Sequence, residues 1–145
     1  MRIPQHVKET LEAAQKKRRL VVATSSKSAV PNAAPIGILK IVDDETLLIV
    51  DNYFLKTRQN LEENPHVSIS AWHMEEKEGS LSTKAAYQLK GRAKIVSSGE
   101  LYERVRTEIK SKRPELPVKA IVLIKVEEIY DSKSGPNAGK PITPS

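Results

Sequence analysis

The residues best suited to chemistry in this chain lie at a turn and helix start within DNYFLKTRQNLEENP, residues 51–65. Lys56 supplies a mobile positive charge, Thr57 a hydroxyl donor, and Arg58 a planar guanidinium if it faces the same way. The first backbone amides of a helix lack partners inside the helix and carry the positive end of its dipole. Together these groups predict a binding site for a phosphate or another anion.

The same spacing also fits an ordinary amphipathic helix with solvated charges, and spacing alone favours that interpretation. The turn follows an apolar run that ends at Val50, and the helical stretch stops before Pro65. The choice between an anion site and a plain surface helix therefore depends on the elements around the turn.

Length and composition predict one domain of 145 residues. Because cysteine is absent, disulfides, thiolate metal ligands and cysteine nucleophiles are excluded. Any redox chemistry therefore requires a bound cofactor. The sequence has no apolar run of membrane-spanning length, and its first residues lack the apolar segment of a secretory signal. We therefore expect a cytoplasmic protein without a membrane partner.

The net charge of +6 is compatible with nucleic-acid binding, but the basic residues have a simpler explanation. The basic runs at 16–19 and 110–113 fall at the ends of predicted helices, where cations offset the helix dipole. Few aromatic residues are present to stack on bases, at 4% of the chain. A negatively charged cofactor or substrate suits the charge equally well, and we expect no nucleic-acid partner.

Hydrophobic periodicity predicts a mainly β, α+β fold. Pro35 and Gly37 interrupt the second strand and indicate an edge or a bulge, and the first strands are expected to form a hairpin and then a meander. Turn signals between the strands indicate a closed or nearly closed barrel. Helices are predicted over 4–15, over 56–63 and from about 98 to 113, strands over 20–25, 31–42, 46–50, 66–73, 84–97 and 119–130, and a polar loop over 74–83.

Other candidate motifs do not survive inspection of their spacing. The run 135–140 is one residue short of a phosphate loop, is followed by Pro141 and has no strand before it. His73, Glu75 and Glu76 lie on the predicted loop with no second histidine nearby, so no metal site is predicted. The absence of GxSxG argues against a serine hydrolase.

The order of these pieces resembles the pyridoxamine 5'-phosphate oxidase-like family of flavin-binding split barrels over residues 5–130. The most specific part is 52–72, which holds Asn-Tyr, a basic pair on a short turn, a leucine, Asn-Pro and an alternating strand ending in Trp72. Where the oxidases tend to carry Ser-Arg-Lys, this chain has Leu55, Lys56 and Thr57, which is more similar to small FMN-binding proteins of the superfamily. The resemblance implies a six-stranded antiparallel split β-barrel with two to three flanking helices over 1–130, and an extended or flexible tail over 131–145.

The resemblance also implies FMN as cofactor and a homodimer with two FMN sites at the subunit interface. Lys56 and Thr57 would hold the phosphate, and backbone from 33–36 and 50–52 would line the flavin ring. On residue type alone Trp72 fits a core or interface position, and Gln88 and Lys90 fit a surface. By resemblance these three occupy positions from which the second subunit approaches the flavin. The predicted cofactor-binding residues are Ala33, Ala34, Pro35, Ile36, Val50, Asp51, Asn52, Tyr53, Lys56, Thr57, Trp72 and Gln88; no catalytic side chain or metal ligand is predicted.

The tail after Tyr130 argues against the activity of the oxidases themselves. It lacks the Trp, Arg and His residues that help form their substrate site. We therefore expect an FMN-dependent oxidoreductase or flavin reductase, served by a nicotinamide donor. The alternatives are a non-enzymatic flavin carrier or electron-transfer protein, and a split barrel that binds a deazaflavin or haem.

Overall fold

Alternating apolar residues build one antiparallel sheet that is flanked by three helices. The computed structural model describes residues 1–144. The helices are α1 (Gln5–Lys17), α2 (Lys56–Glu63) and α3 (Glu100–Lys112), and the strands are β1 (Leu20–Ser25), β2 (Pro31–Pro35), β3 (Leu39–Ile41), β4 (Thr46–Asp51), β5 (His66–Lys77), β6 (Ser80–Val96) and β7 (Ala120–Asp131).

The strand order shows that the sheet curls into a split barrel. The order is β2-β1-β5-β6-β7-β4-β3, so β2 and β3 form the two edges. Only residues 36–38 connect them, and so short a link spans at most about 14 Å. The edges must therefore approach each other, which confirms the predicted split-barrel fold. The predicted hairpin of β1 and β2 is also confirmed.

The strand predicted over 31–42 is instead two strands, so the sheet has seven strands and not six. β2 pairs with β1, whereas β3 pairs with β4 at the opposite edge. Pro35 has no backbone N–H to continue the ladder, and the chain bends away through Gly37 before β3 begins. The predicted meander is therefore wrong at this point, because its consecutive pieces belong to different edges.

The loop predicted over 74–83 is a long hairpin that extends β5 and β6. Glu78 and Gly79 form its turn with φ values of 54° and 77°. Two consecutive left-handed residues match the right-handed twist of the strands on either side. The hairpin ends are exposed, so their polar sequence carries no apolar alternation to reveal a strand.

Two apolar clusters fill the spaces on either side of β4. Leu47 and Ile49 face the barrel interior, where they join Val7 and Leu11 of α1. Leu48 faces a second cluster beneath α3. This double burial explains the continuous apolar run of β4, which a half-exposed strand would not need. The central position predicted for this strand is confirmed.

β6 and β7 approach each other closely at Gly91. The register of the two strands shifts between Lys90 and Gly91, and a Cβ atom at Gly91 would lie 2.1 Å from the Lys125 carbonyl oxygen. Only glycine fits there, because any other residue would force the strands apart.

The chain after β7 turns back onto the barrel. Ile142 donates its backbone N–H to the Ile129 carbonyl oxygen at 2.8 Å, and its side chain packs against the barrel core. No helix within residues 1–144 is long and apolar enough to cross a membrane.

Candidate functional site

A cleft of about 410 Å³ opens between the break in the β2–β3 segment and the turn that follows β4. It unites the two stretches that the sequence assigned to one site and adds two residues from beyond α3. The lining residues are Asn32, Ala33, Ala34, Pro35, Ile36, Gly37, Ile38, Val50, Asn52, Tyr53, Phe54, Leu55, Lys56, Thr57, Arg113 and Leu116.

The turn after β4 is fixed by the side chain of Asp51. This carboxylate is buried; it accepts hydrogen bonds from the Phe54 backbone N–H at 3.0 Å and from Arg58 Nη1 at 2.9 Å. Its two oxygens thus bind both ends of the segment that carries Lys56 and Thr57. Asp51 does not line the cleft, so it supports the site indirectly, by holding the turn that carries Lys56 and Thr57.

Arg58 does not line the cleft, so the structure does not place it beside Lys56 and Thr57 as an anion ligand. Its guanidinium is committed to Asp51, while its Nε atom is buried without a hydrogen-bond partner, 3.6 Å from the Glu62 carboxylate. Lys56 is therefore the basic residue of the turn that remains available to a ligand in the cleft.

Lys56 and Thr57 present their polar groups at the start of α2. Lys56 is exposed, whereas Thr57 is 3% exposed and its Oγ1 accepts a hydrogen bond from Asn32 Nδ2 at 3.3 Å. The Thr57 hydroxyl proton stays free to donate, because the hydroxyl acts only as the acceptor in that bond. Within the described chain no side chain caps α2 at Leu55. The ammonium, the hydroxyl and the first amides of α2 together form a donor set for an anion.

A loop after α3 closes one side of the cleft. Its Val118 N–H donates to Asn52 Oδ1 at 3.1 Å, and the Lys119 N–H donates to the Asp51 carbonyl oxygen at 2.9 Å. These bonds bring Arg113 and Leu116 into the lining.

Sequence reasoning missed seven lining residues. Five of them lie within two residues of a predicted residue, so a wider window would have included them. Arg113 and Leu116 carry no signal in the sequence, since only the folded path of the loop brings them to the cleft. The missed residues are Asn32, Gly37, Ile38, Phe54, Leu55, Arg113 and Leu116.

Nine of the twelve predicted residues line the cleft, and Asp51, Trp72 and Gln88 do not. Trp72 lies on β5 opposite Ala86, and Gln88 lies on β6 opposite Ser70. On β5 the residues that alternate with Trp72 are buried in the core, so Trp72 and Gln88 share the outward face of the sheet. Their contribution to a cofactor site stays a prediction.

The matching family is described as Pyridoxamine 5'-phosphate oxidase, and its model matches residues 3–133. The chain belongs to this family. An uncharacterized protein of Methanocaldococcus jannaschii is 40% identical over 122 residues, which cover 82% of this chain and 76% of that protein. The matched residues therefore include the whole sheet, all three helices and the residues that line the cleft.

Solved structures of similar fold include proteins with different ligands in their names. HupZ from Group A Streptococcus has a TM-score of 0.70 at 27% identity, covering 91% of this chain and 98% of HupZ. An FMN-binding protein from Syntrophomonas wolfei subsp. wolfei has a TM-score of 0.68 at 18% identity, covering 86% of each chain.

Two further similarities extend the range of ligands. HutZ, a heme storage protein from Vibrio cholerae, has a TM-score of 0.60 at 19% identity, covering 92% of this chain and 97% of HutZ. An F420 reductase has a TM-score of 0.61 at 15% identity, covering 88% of this chain and 98% of that protein. At such identities these similarities show the fold alone. The fold therefore does not select one cofactor, and the lining of the cleft must do so.

Proposed function

We propose that this protein is a flavoprotein that binds FMN in the cleft between residues 32–38 and 50–57. The observation that carries the proposal is that one cleft combines an anion-binding end with a wall of backbone and small side chains. Lys56 and Thr57 form the anion-binding end, and Ala33 and Ala34 stand in the wall. Similarity to an FMN-binding protein of the same fold supports the choice of flavin.

The residues present fit FMN. The Lys56 ammonium and the Thr57 hydroxyl would hold the phosphate, and backbone of 33–36 and 50–52 would face the ring. FMN supplies the transfer of a hydride or of electrons when bound. Within the described residues the lining contains no aspartate, glutamate or histidine, so the protein's part is to bind and orient the flavin and to exclude water, without a general base.

The side chains of the cleft favour a flavin over haem. Haem iron is commonly held by histidine, cysteine, methionine or tyrosine. Among the described residues that line the cleft, Tyr53 is the one side chain of these types, and it is 69% exposed. Haem would therefore lack a buried axial ligand in this cleft.

A second copy of the chain completes the cleft in this proposal. Tyr53 and Leu55 stand beside the opening and are 69% and 71% exposed, which is unusual for two neighbouring apolar side chains. Trp72 and Gln88 lie on an outward sheet face that a second copy can cover. The proposed unit is thus a homodimer in which these two residues reach the flavin of the partner.

The proposed reaction is reduction of a small acceptor through bound FMN, with a reduced nicotinamide as the hydride donor. A carrier or electron-transfer role has the same requirements for binding. The absence of carboxylate and imidazole side chains from the described lining suits both roles, so turnover must separate them. A cytoplasmic location remains the prediction made from the sequence.

Purified protein tests the proposal directly. We expect a visible flavin spectrum, release of FMN as identified by mass, and tighter binding of FMN than of riboflavin on titration into ligand-free protein. Steady oxidation of NADH or NADPH with an added acceptor would support the enzyme over the carrier. Colourless protein that gains no flavin on titration with FMN would overturn the proposal.

A further inference from the structure

The link between the two sheet edges is held by a side chain of α1. Residues 36–38 join β2 to β3 and belong to no strand. Gln15 Nε2 donates to the Gly37 carbonyl oxygen at 2.8 Å, and the Leu39 N–H donates to Gln15 Oε1. These two backbone groups lie in the peptide units directly before and after Ile38. One amide side chain therefore fixes the backbone on both sides of Ile38.

The two bonds reproduce the pattern of a neighbouring parallel strand. A residue in such a strand donates to the carbonyl oxygen that precedes the opposite residue and accepts from the N–H that follows it. The Gln15 amide makes the same two bonds around Ile38. A side chain thus takes the place of a strand beside the link between β2 and β3.

The amide of Gln15 is well anchored, whereas the link is not. Leu11, one turn earlier on α1, and Ala14 are buried in the barrel core, so the helix that carries Gln15 is fixed by packing. At Gly37, by contrast, a Cβ atom would meet no atom beyond its chain neighbours within 4 Å. Glycine also has more backbone freedom than any other residue. Hydrogen bonds and not packing therefore restrict the link at this point.

Ile38 connects this clamp to the cleft. It lines the cleft and also packs against the apolar cluster beneath α3, while Gln15 lies outside the lining. In the proposed complex Lys56 and Thr57 hold the phosphate, so an apolar side chain in the wall suits the flavin ring. A change in the backbone at Ile38 would alter the wall that receives the ring.

We propose that Gln15 is a positioning residue of the flavin site, whose amide holds Ile38 in the wall that receives the ring. This inference rests on the proposed flavin function and adds to it a residue from outside the cleft. Both bonds are present without a ligand, so the wall is preformed and binding does not have to order it. Without the amide, the ligand itself must order the link, and its affinity falls.

Gln15→Met tests the inference, because methionine is similar to glutamine in length and helix propensity but can make neither bond. Riboflavin and FMN should both bind about five- to tenfold more weakly in titrations of ligand-free protein. The factor should be the same for both, since they share the ring. Glu12→Met is the matched control. Glu12 is exposed on the same helix and lines the groove between α1 and β3, as Gln15 does, and its variant should bind both ligands like the parent protein.

Amide hydrogen exchange in the ligand-free protein provides a second measurement. The Leu39 N–H should exchange slowly in the parent protein and in Glu12→Met, and at least about tenfold faster in Gln15→Met. The amides that pair β1 with β5 should keep their protection in all three proteins, which shows that the barrel itself stays folded.

The inference is wrong if the Leu39 amide exchanges freely in the parent protein. It is also wrong if Gln15→Met binds both ligands as tightly as the parent protein does, or loses affinity for FMN alone. In these cases flavin binding by the parent protein stands. If the parent protein binds no flavin, the proposed function fails together with the inference.

Discussion

The turn at 51–58 and the outward face of β5 and β6 contribute differently to the proposed site. One chain alone organises the turn, whereas the outward face contributes in the proposal only when a second chain is present. In the turn, the buried Asp51 fixes both ends of the segment, and Asn32 contacts Thr57 from the opposite wall. On the outward face, Trp72 and Gln88 lie outside the cleft of their own chain. One half of the site is therefore organised before any ligand or partner arrives, which lowers the entropy cost of binding. In the proposed homodimer, the other half depends on assembly.

The largest expected effect comes from removing Asp51, the residue that fixes the turn at 51–58. Asp51→Ala removes a carboxylate that is 1% exposed and leaves the Arg58 guanidinium, which is 30% exposed, without its closest partner. We expect a loss of about 2–4 kcal/mol in the free energy of unfolding, together with weaker FMN binding because the turn is no longer held. Urea denaturation with a flavin titration measures both.

Glu62→Ala is the matched control for Asp51→Ala, because it removes the other carboxylate near the same guanidinium. Glu62 is 58% exposed and 3.6 Å away, so the loss should stay below about 0.5 kcal/mol. Equal losses in the two variants would show that burial of Asp51 does not fix the turn.

The next effect concerns the ligand-facing side of the same turn. Lys56→Ala removes a charge-assisted hydrogen bond to the phosphate, which is worth about 1.5–3 kcal/mol, or about ten- to a hundredfold in FMN affinity. Riboflavin, which lacks the phosphate, should lose little. Lys77→Ala, at a lysine that is 72% exposed on the hairpin, serves as control. A similar loss for riboflavin and FMN would mean that Lys56 is structural.

A smaller effect is expected from a substitution on the outward face of β5 and β6. Ser70 lies on the outward face opposite Gln88, and a two-fold axis would place each substitution at the interface twice. Ser70→Arg should give monomers and lower FMN affinity about tenfold, as shown by analytical ultracentrifugation and titration. A variant that stays dimeric with full FMN affinity would place the interface elsewhere.

The smallest effect is expected at Arg113, which lines the cleft but belongs neither to the turn at 51–58 nor to the outward face of β5 and β6. Arg113 is 45% exposed and already paired with Glu115 at 2.8 Å. Arg113→Ala should weaken FMN binding about two- to threefold at low ionic strength and not at high ionic strength, because exposed charges are screened by salt. A loss that persists at high salt would assign Arg113 a direct contact with the ligand.

The sequence predicts the fold class well because strand alternation and helix periodicity record burial directly. It does not predict the path from β2 to β3. Pro35 and Gly37 announce an interruption, but the choice of opposite edges depends on pairing with β1 and β4. The outer half of the β5–β6 hairpin is missed because exposed strands carry polar residues on both faces, and the turn at Glu78 and Gly79 is its one local sign.

The site is predictable where its residues are consecutive and not where they meet through tertiary contacts. The sequence predicts the segments 33–36, 50–53 and 56–57, and the cleft brings together all of these residues except Asp51. The direction of the Arg58 side chain depends on its ion pair with Asp51 at the end of β4. The position of Arg113 depends on the hydrogen bond between Val118 and Asn52. Neither contact can be predicted from residue type and local spacing.

The three-residue connection between the two sheet edges also has a consequence for folding kinetics. Two inner pairings of the sheet, β1 with β5 and β4 with β7, join segments that are distant in the chain. Such high contact order slows two-state folding to milliseconds or seconds. We expect the cleft to close late in folding, because β2 on one wall is held through β1 and β5, and β4 on the other wall through β7. A flavin that binds only the closed barrel will then raise the melting temperature in proportion to the logarithm of its concentration, and will act chiefly by slowing unfolding.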